Sequence, residues 1–193
     1  MVVAIDSDVI RCQHKKQNRF VDGGKEMSRK NIIGVFGGGN VVEDDWEWKT
    51  AKEVGERLAA NDCIVLTGGL GGVMTAASKG AKEAGGMTIG ILPGNRDATS
   101  PNRYVDIAVF TGMGEARNVI NVRSCNAAIA IGGEYGTLSE IALALKSGCP
   151  LVLLDSWSFS RKKFKEGQEM LVARDAADAV QKVLAAIKRG ADQ

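Results

Sequence analysis

The chain has little of several things. In 193 residues it carries one histidine, three prolines, and only five Phe, three Trp and two Tyr. The lone histidine, His14, stands beside Cys12 with no further ligand cluster near it, which disfavours a metal centre. The four cysteines, Cys12, Cys63, Cys125 and Cys149, are far apart and form no C-x-x-C pair, so they read as reduced thiols. No apolar run approaches the roughly eighteen residues of a membrane span, and the N-terminus lacks the apolar core of a secretory signal. The expectation is therefore a cytoplasmic protein that needs no membrane. The net charge of +2 implies no affinity for nucleic acid. Even that small excess comes from the first thirty residues, with seven Lys or Arg against four Asp or Glu. Two motifs are missing as well: the G-x-G-x-x-G dinucleotide fingerprint and the G-x-x-x-x-G-K-[ST] loop, so NAD chemistry and ATP hydrolysis are both disfavoured.

Glycine, by contrast, is plentiful at 24 residues, and it is clustered. Many tight turns with few aromatics favour an α/β protein over a β-sandwich, and the length suits one domain with a substantial core. From Asn31 onward, apolar runs alternate with helical patterns at the pace of a βα repeat. The right-handed crossover rule then gives a Rossmann-like, open and mostly parallel sheet of about six to seven strands with helices on both faces. Six strands are expected at Ile32 to Phe36, Cys63 to Thr67, Met87 to Leu92, Asp106 to Phe110, Ala127 to Ile131 and Leu151 to Leu154. The helices fall near Trp46 to Ala60, Gly72 to Ala84, Glu115 to Arg123, Gly136 to Lys146 and Asp175 to Arg189. Trp46, Thr50, Val54 and Leu58 repeat at helical spacing, so Trp46 is expected to pack against the core.

Residues 1–30 do not fit this repeat and are expected to be a flexible extension, with Val2 to Ile5 a candidate isolated strand. Met27, four residues ahead of the first main strand, is a candidate start that would leave residues 1–26 outside the natural protein. Residues 31–193 form the single Rossmann-like domain. A second irregular stretch, Ser156 to Glu169, contains Arg161-Lys162-Lys163-Phe164-Lys165. It reads more simply as a solvated loop than as a phosphate or RNA contact.

Three glycine loops follow apolar strands. They are Gly37-Gly38-Gly39-Asn40, Gly68-Gly69-Leu70-Gly71-Gly72, and Gly132-Gly133-Glu134-Tyr135-Gly136-Thr137, which runs directly into a helix. The carboxyl ends of strands in an open parallel sheet share one rim, where ligands bind. Glycines let the backbone come close, and the free N–H groups of a first helical turn favour a phosphate. Candidate contacts to a small phosphorylated ligand are thus Gly37, Gly38, Gly39, Gly68, Gly69, Gly72, Gly132, Gly133, Gly136 and Thr137. A plainer reading of Thr137-x-x-Glu140 stands beside this: a capping box, whose side chains satisfy backbone donors and touch no ligand.

Taken together, these residues resemble the Rossmann-like LOG ("Lonely Guy") and molybdenum cofactor carrier superfamily, often labelled possible lysine decarboxylases. The likeness runs from about Asn31 to Val183. It rests on Thr67 to Met74, Gly80-Ala81, Gly85-Gly86, Gly90-Ile91-Leu92-Pro93, Arg117, and the Gly-Thr-x-x-Glu that ends at Glu140. Nothing in the chain suggests a pyridoxal phosphate lysine, so lysine decarboxylation is not expected. In the hydrolase branch, which releases the base of a nucleoside 5′-monophosphate, the resemblance assigns catalytic work to Arg117 and Glu140. There a carboxylate near the anomeric carbon stabilises developing positive charge or activates water, and the arginine fork holds phosphate or ribose.

This chain departs from that branch at three places. Gly132 replaces its proline, Glu134 its second glycine, and Asn118 the basic residue after the arginine. Gly-Val-Met in the second loop and Arg117-Asn118-Val119-Ile120 are closer to the carrier-like branch, which adds Met74 and Asn118, with Arg117, to the expected ligand contacts. The resemblance thus implies a binding protein that requires no cofactor for chemistry and takes a nucleotide or molybdenum cofactor as its ligand. The alternative is a nucleoside 5′-monophosphate phosphoribohydrolase. It also implies a homodimer or homotetramer, for which the apolar helix with Leu138, Ile141, Ala142 and Leu145 supplies a candidate face.

Overall fold

The structure, a computed structural model, describes residues 19–22, 25–159 and 170–192. Val2 to Ile5 and the Arg161 to Lys165 run lie outside the described residues. Two short strands, β1 (Arg19–Asp22) and β2 (Lys25–Ser28), pair antiparallel ahead of the main domain. The sequence reading placed no element there, because the segment is polar and shows no clean alternation.

The domain then alternates as expected. Its elements are β3 (Ile32–Gly37), α1 (Trp46–Ala60), β4 (Ile64–Thr67), α2 (Val73–Glu83), β5 (Thr88–Leu92), β6 (Ile107–Phe110), α3 (Asn118–Arg123), β7 (Ala127–Ile131), α4 (Tyr135–Ser147), β8 (Leu151–Leu154), β9 (Met170–Ala173) and α5 (Ala176–Asp192). The strands from β3 onward form one seven-stranded sheet in the order β6-β5-β4-β3-β7-β8-β9, with every neighbouring pair parallel. From β3 the chain steps outward through β4, β5 and β6, then returns across α3 to lay β7 on the other side of β3. The crossovers therefore diverge between β3 and β7, and a crevice opens at the carboxyl ends of these two strands.

Both faces of the sheet are covered, which is why central strands read as unbroken apolar runs; every residue of β7 is buried. On one face Val54 of α1, Ala77 of α2 and Val183 of α5 pack over Val35, Val65, Ile129 and Val152. On the other, Val122 of α3 with Ile141 and Ala144 of α4 covers Phe36, Leu66, Ala128 and Leu153. Complete burial of such a side chain contributes about 1.5–3 kcal/mol. The two helices α1 and α2 touch backbone to backbone, since a Cβ on Gly55 would overlap Ala77 O and one on Gly80 would overlap Lys52 O.

Two expectations need correction. Trp46 is 44% exposed, although Thr50, Val54 and Leu58 are buried as the periodicity requires. It stands at the first helical position, and Trp48 is the tryptophan that packs on the core. The stretch Glu115 to Arg123 is not one helix: a 3-10 turn (Gly114–Arg117) leads into the short α3. The sheet's seven strands agree with the six to seven expected, β9 at the edge being the one not placed by residue from sequence.

Candidate functional site

The site grows from the rim of the sheet. Gly37 at the end of β3 pairs in register with Ile131 at the end of β7, so the first and third glycine loops leave adjacent strands. The approach is close, because a Cβ on Gly37 would stand 2.6 Å from Ile131 O and 2.7 Å from Val73 Cγ1. The second loop leaves β4, the next strand over. It is tied to the first by Val73 N donating to Gly38 O at 2.9 Å. Gly72, which caps α2, has φ 59° and ψ −134°, a conformation essentially restricted to glycine. On its far side this loop is held by Asn102, whose N donates to Gly69 O at 2.9 Å and whose Nδ2 donates to Leu70 O at 3.0 Å. Met74 bridges the first two loops, with Sδ 2.7 Å and Cε 3.7 Å from where a Cβ would stand on Gly68 and Gly39 respectively.

In the third loop Gly132 and Gly133 take positive φ, and α4 starts at Tyr135 with Glu134 as its N-cap. The Glu134 side chain makes no capping hydrogen bond. Thr137 therefore sits inside the first turn, and the capping box that the spacing allows is not formed. The N–H groups of Tyr135, Gly136 and Thr137 belong to a helix end that has no intrahelical acceptor for them and carries the positive pole of the dipole.

Glu140, one turn further, points into the protein. It meets Arg117 at the end of the 3-10 turn and Asn121 on α3: Asn121 Nδ2 donates to Glu140 Oε1 at 2.7 Å, and Arg117 Nη1 lies 3.5 Å from the same oxygen. Arg117 Nη1 also donates to Asn118 Oδ1 at 2.7 Å, while Asn118 Nδ2 donates to Ser139 Oγ at 2.7 Å. Arg117, Asn121 and Glu140 are 9%, 0% and 6% exposed. Burial pushes the Glu140 carboxyl up to about 7, with the Asn121 donor and the Arg117 charge opposing. Burial likewise lowers the Arg117 guanidinium, opposed by the charges of Glu140 and Glu115.

Only part of Arg117 is committed to these partners. Its Nη2 lies 2.6 Å from the place a Cβ would take on Gly68, directly behind the second glycine loop, and its buried Nε makes no hydrogen bond among the described residues. A guanidinium presents donors in a planar fork suited to an oxyanion. Arg117, Gly68, Met74, Gly72, Gly38 and Gly39 thus form one group, and Gly132, Gly133, Gly136 and Thr137 lie on the neighbouring strand-to-helix turn. Gly69 turns the other way and packs against Gly90 and Leu92 of β5. Asn118 faces α4, bonding Ser139 and, more weakly, Gly136 O at 3.4 Å.

Sequence reasoning missed Asn121. The signal was present, since Arg117 and Asn121 are four residues apart and so share a helical face. It also missed an open cavity of about 350 Å³ beside the third loop, lined by Glu47, Gly132, Gly133, Asp155, Ser156 and Trp157. Ser156 Oγ donates to Gly132 O at 2.6 Å, which steadies that turn.

The SLOG cluster4 family model matches residues 30–182. Among solved structures, the molybdenum cofactor carrier protein of Chlamydomonas reinhardtii is 43% identical with a TM-score of 0.72, over 83% of this chain and 99% of that one. The molybdenum cofactor binding protein of the phototrophic bacterium Rippkaea orientalis is 39% identical with a TM-score of 0.72, over 82% of this chain and 98% of that one. An uncharacterised protein of Archaeoglobus fulgidus is 49% identical over 116 residues, 60% of this chain and 74% of its own length. Glycine loops on the rim of an all-parallel sheet, and a family match spanning most of the sequence, lead to one conclusion: the chain belongs to the SLOG cluster4 family, within the Rossmann-like LOG and molybdenum cofactor carrier superfamily.

Proposed function

We propose that this protein binds a small phosphorylated ligand, a nucleotide or a molybdenum cofactor, with its phosphate against the three glycine loops and the first turns of α2 and α4. The observation that carries the reading is Arg117: a buried cation with Nη2 behind Gly68 and an Nε without a partner among the described residues. Backbone N–H groups supply the remaining donors. The ligand contacts are Gly37, Gly38, Gly39, Gly68, Gly72, Met74, Arg117, Gly132, Gly133, Gly136 and Thr137, with Asn118 bracing Arg117 and Gly69 shaping the loop. The likeness to solved molybdenum cofactor carrier and binding proteins supports this class of ligand. Thermal unfolding against nucleoside monophosphates, pyrophosphate and molybdopterin tests it, since a ligand of the folded state raises the melting temperature by mass action. Arg117→Met should abolish the stabilisation; an undiminished rise in that variant would refute the reading.

One observation favours a second reading. Glu140 is a buried carboxyl brought near neutrality beside an arginine, the setting of a general acid or base. A nucleoside 5′-monophosphate phosphoribohydrolase would release free base, visible by chromatography, and Glu140→Gln would stop that release. Stabilisation by nucleotide with no base released leaves the binding protein. As a carrier the protein would act in the cytoplasm as a homodimer or homotetramer. On α4, Ile141 is buried in its own domain, whereas Leu138 and Leu145 are half-buried and Ala142 exposed, which leaves a face for a second copy. Light scattering during size-exclusion chromatography reads the assembly directly.

A further inference from the structure

The peptide planes of the second glycine loop are pinned from one side. Asn102 stands in the connection between β5 and β6, 32 residues along the chain from Leu70. Its N–H donates to Gly69 O at 2.9 Å and its Nδ2 to Leu70 O at 3.0 Å. Thr75 Oγ1 gives Leu70 O a second donor at 2.7 Å. Asn102 is itself fixed, because its Oδ1 accepts from Tyr104 N at 3.1 Å and its O from Val105 N at 3.1 Å. Tyr104 O in turn accepts from Oγ1 of the buried Thr88 in β5 at 2.6 Å. The clamp is therefore anchored on the sheet.

A trans peptide holds its C=O and N–H on opposite sides of one plane, so fixing one fixes the other. With Gly69 O turned to Asn102, the Leu70 N–H points away from it; with Leu70 O turned there as well, the Gly71 N–H does the same. Neither N–H meets an acceptor among the described residues. Asn102 lies on the β6 side of the loop and the first glycine loop on the β3 side, where a Cβ on Gly71 would stand 2.9 Å from Gly39 O. Away from Asn102 is thus toward the crevice. Unclamped, the two planes would turn easily, since Gly69 holds φ 76° and Gly71 has no Cβ to restrict rotation. A turned plane would offer an anion a carbonyl oxygen, which repels it, in place of an N–H, which binds it. We infer that Asn102 is a positioning residue of the anion site: by holding two consecutive carbonyls on its own side, it turns the N–H groups of Leu70 and Gly71 toward the ligand's phosphate. This rests on reading the glycine loops as the phosphate site, and it adds Leu70 and Gly71 to the donors there.

Amide NMR of the full chain, titrated with inorganic sulfate, tests it. In wild type the amide protons of Leu70 and Gly71 should move downfield as sulfate binds, because a hydrogen bond to an anion deshields the proton. Asn102→Ala removes both the Nδ2 donor and the Oδ1 that steadies it. Sulfate should bind that variant about tenfold more weakly, the loss of roughly one hydrogen bond to a charged group, and both downfield shifts should shrink. Asn102→Ser takes its place if the alanine variant does not fold. Wild-type binding that leaves both amides unmoved overturns the proposal and spares the anion reading. A variant that melts lower yet binds sulfate as wild type does makes Asn102 purely structural, and also overturns it. So does a variant that loses affinity while its Leu70 and Gly71 amides respond in full. If sulfate moves no resonance of the wild-type protein, the anion reading falls and this inference falls with it.

Discussion

Two glycines within the same motifs should respond to alanine in opposite ways. Gly72 holds φ 59° and ψ −134°, and a Cβ there would overlap Gly38 O while standing 2.6 Å from Gly39 C and 2.8 Å from Gly39 O. All three of these atoms are backbone, so no side chain can swing aside. The conformational strain alone is worth about 1–3 kcal/mol, and pushing the first glycine loop away raises the total to roughly 3–5 kcal/mol, the severe end for a point substitution. Gly136, in the first turn of α4, has nothing within 4 Å of its Cβ position and no positive φ. Alanine there should gain roughly 0.5 kcal/mol of helix propensity.

For a domain of this size each kcal/mol moves the melting temperature by about 2–4 °C. Gly72→Ala should therefore melt about 10 °C below wild type, and Gly136→Ala at or slightly above it, by differential scanning calorimetry. Phosphate-ligand stabilisation should also be lost in Gly72→Ala, because Gly38 O is the acceptor that registers α2 against the first loop. A Gly72→Ala protein that melts within about 2 °C of wild type would refute the steric argument. So would a Gly136→Ala protein that falls as far as Gly72→Ala.

Two further outcomes follow from charge. Because the folded Glu140 carboxyl, at about 7, lies above its ordinary value of 4.5, its contribution to stability is complete below pH 4.5 and is lost as pH rises through 7. Glu140→Gln lacks that loss, so its stability relative to wild type should improve by about 3 kcal/mol between acid and neutral pH in denaturant titrations; a difference that does not vary with pH counts against a raised Glu140. Glu134 caps α4 without a side-chain hydrogen bond, so Glu134→Gln should cost the helix about 0.5 kcal/mol of dipole interaction and raise sulfate affinity about threefold. Weaker sulfate binding in that variant would mean that the carboxylate does not face the anion.

The sheet was legible because its signals are local and repeated. Apolar runs such as Ala127 to Ile131 and Leu151 to Leu154 occur wherever a strand is covered on both faces, and the glycines at their ends marked the turns to within a residue or two. Elements at the margins were harder to read. The β9 run, Met170 to Ala173, is an edge strand with Val172 exposed, and it follows a polar stretch that hid its start. Trp46 fitted the helical period yet stands in solvent, because periodicity says which face a residue shares and not whether the sheet extends beneath it. Within the site, the nearness of the three loops could be inferred from strand ends, whereas Arg117 and Glu140 were paired through the family resemblance. Asn121 was missed although its spacing from Arg117 places both on one helical face, because its contact with Glu140 depends on α3 and α4 meeting across many intervening residues.

The replacement of a basic residue by Asn118 bears on what the site can do. Asn118 takes one side of the guanidinium through Oδ1 and fastens α3 to α4 through Ser139, whose own hydroxyl donates to Gly136 O at 2.7 Å. The hydrolase-like pattern would place a second cation there. Among the described residues Arg117 is the single buried cation of the site, and Glu47, Glu134 and Asp155 border the third loop. An anion at these loops would therefore be held chiefly by neutral backbone donors and one fixed charge. Such hydrogen bonds are directional but individually modest, at about 0.5–1.5 kcal/mol net each, against about 1.5–3 kcal/mol for bonds to charged groups. On the proposed reading this arrangement selects the geometry of a phosphate without gripping it through several ion pairs. That balance suits a protein that must also give its ligand up.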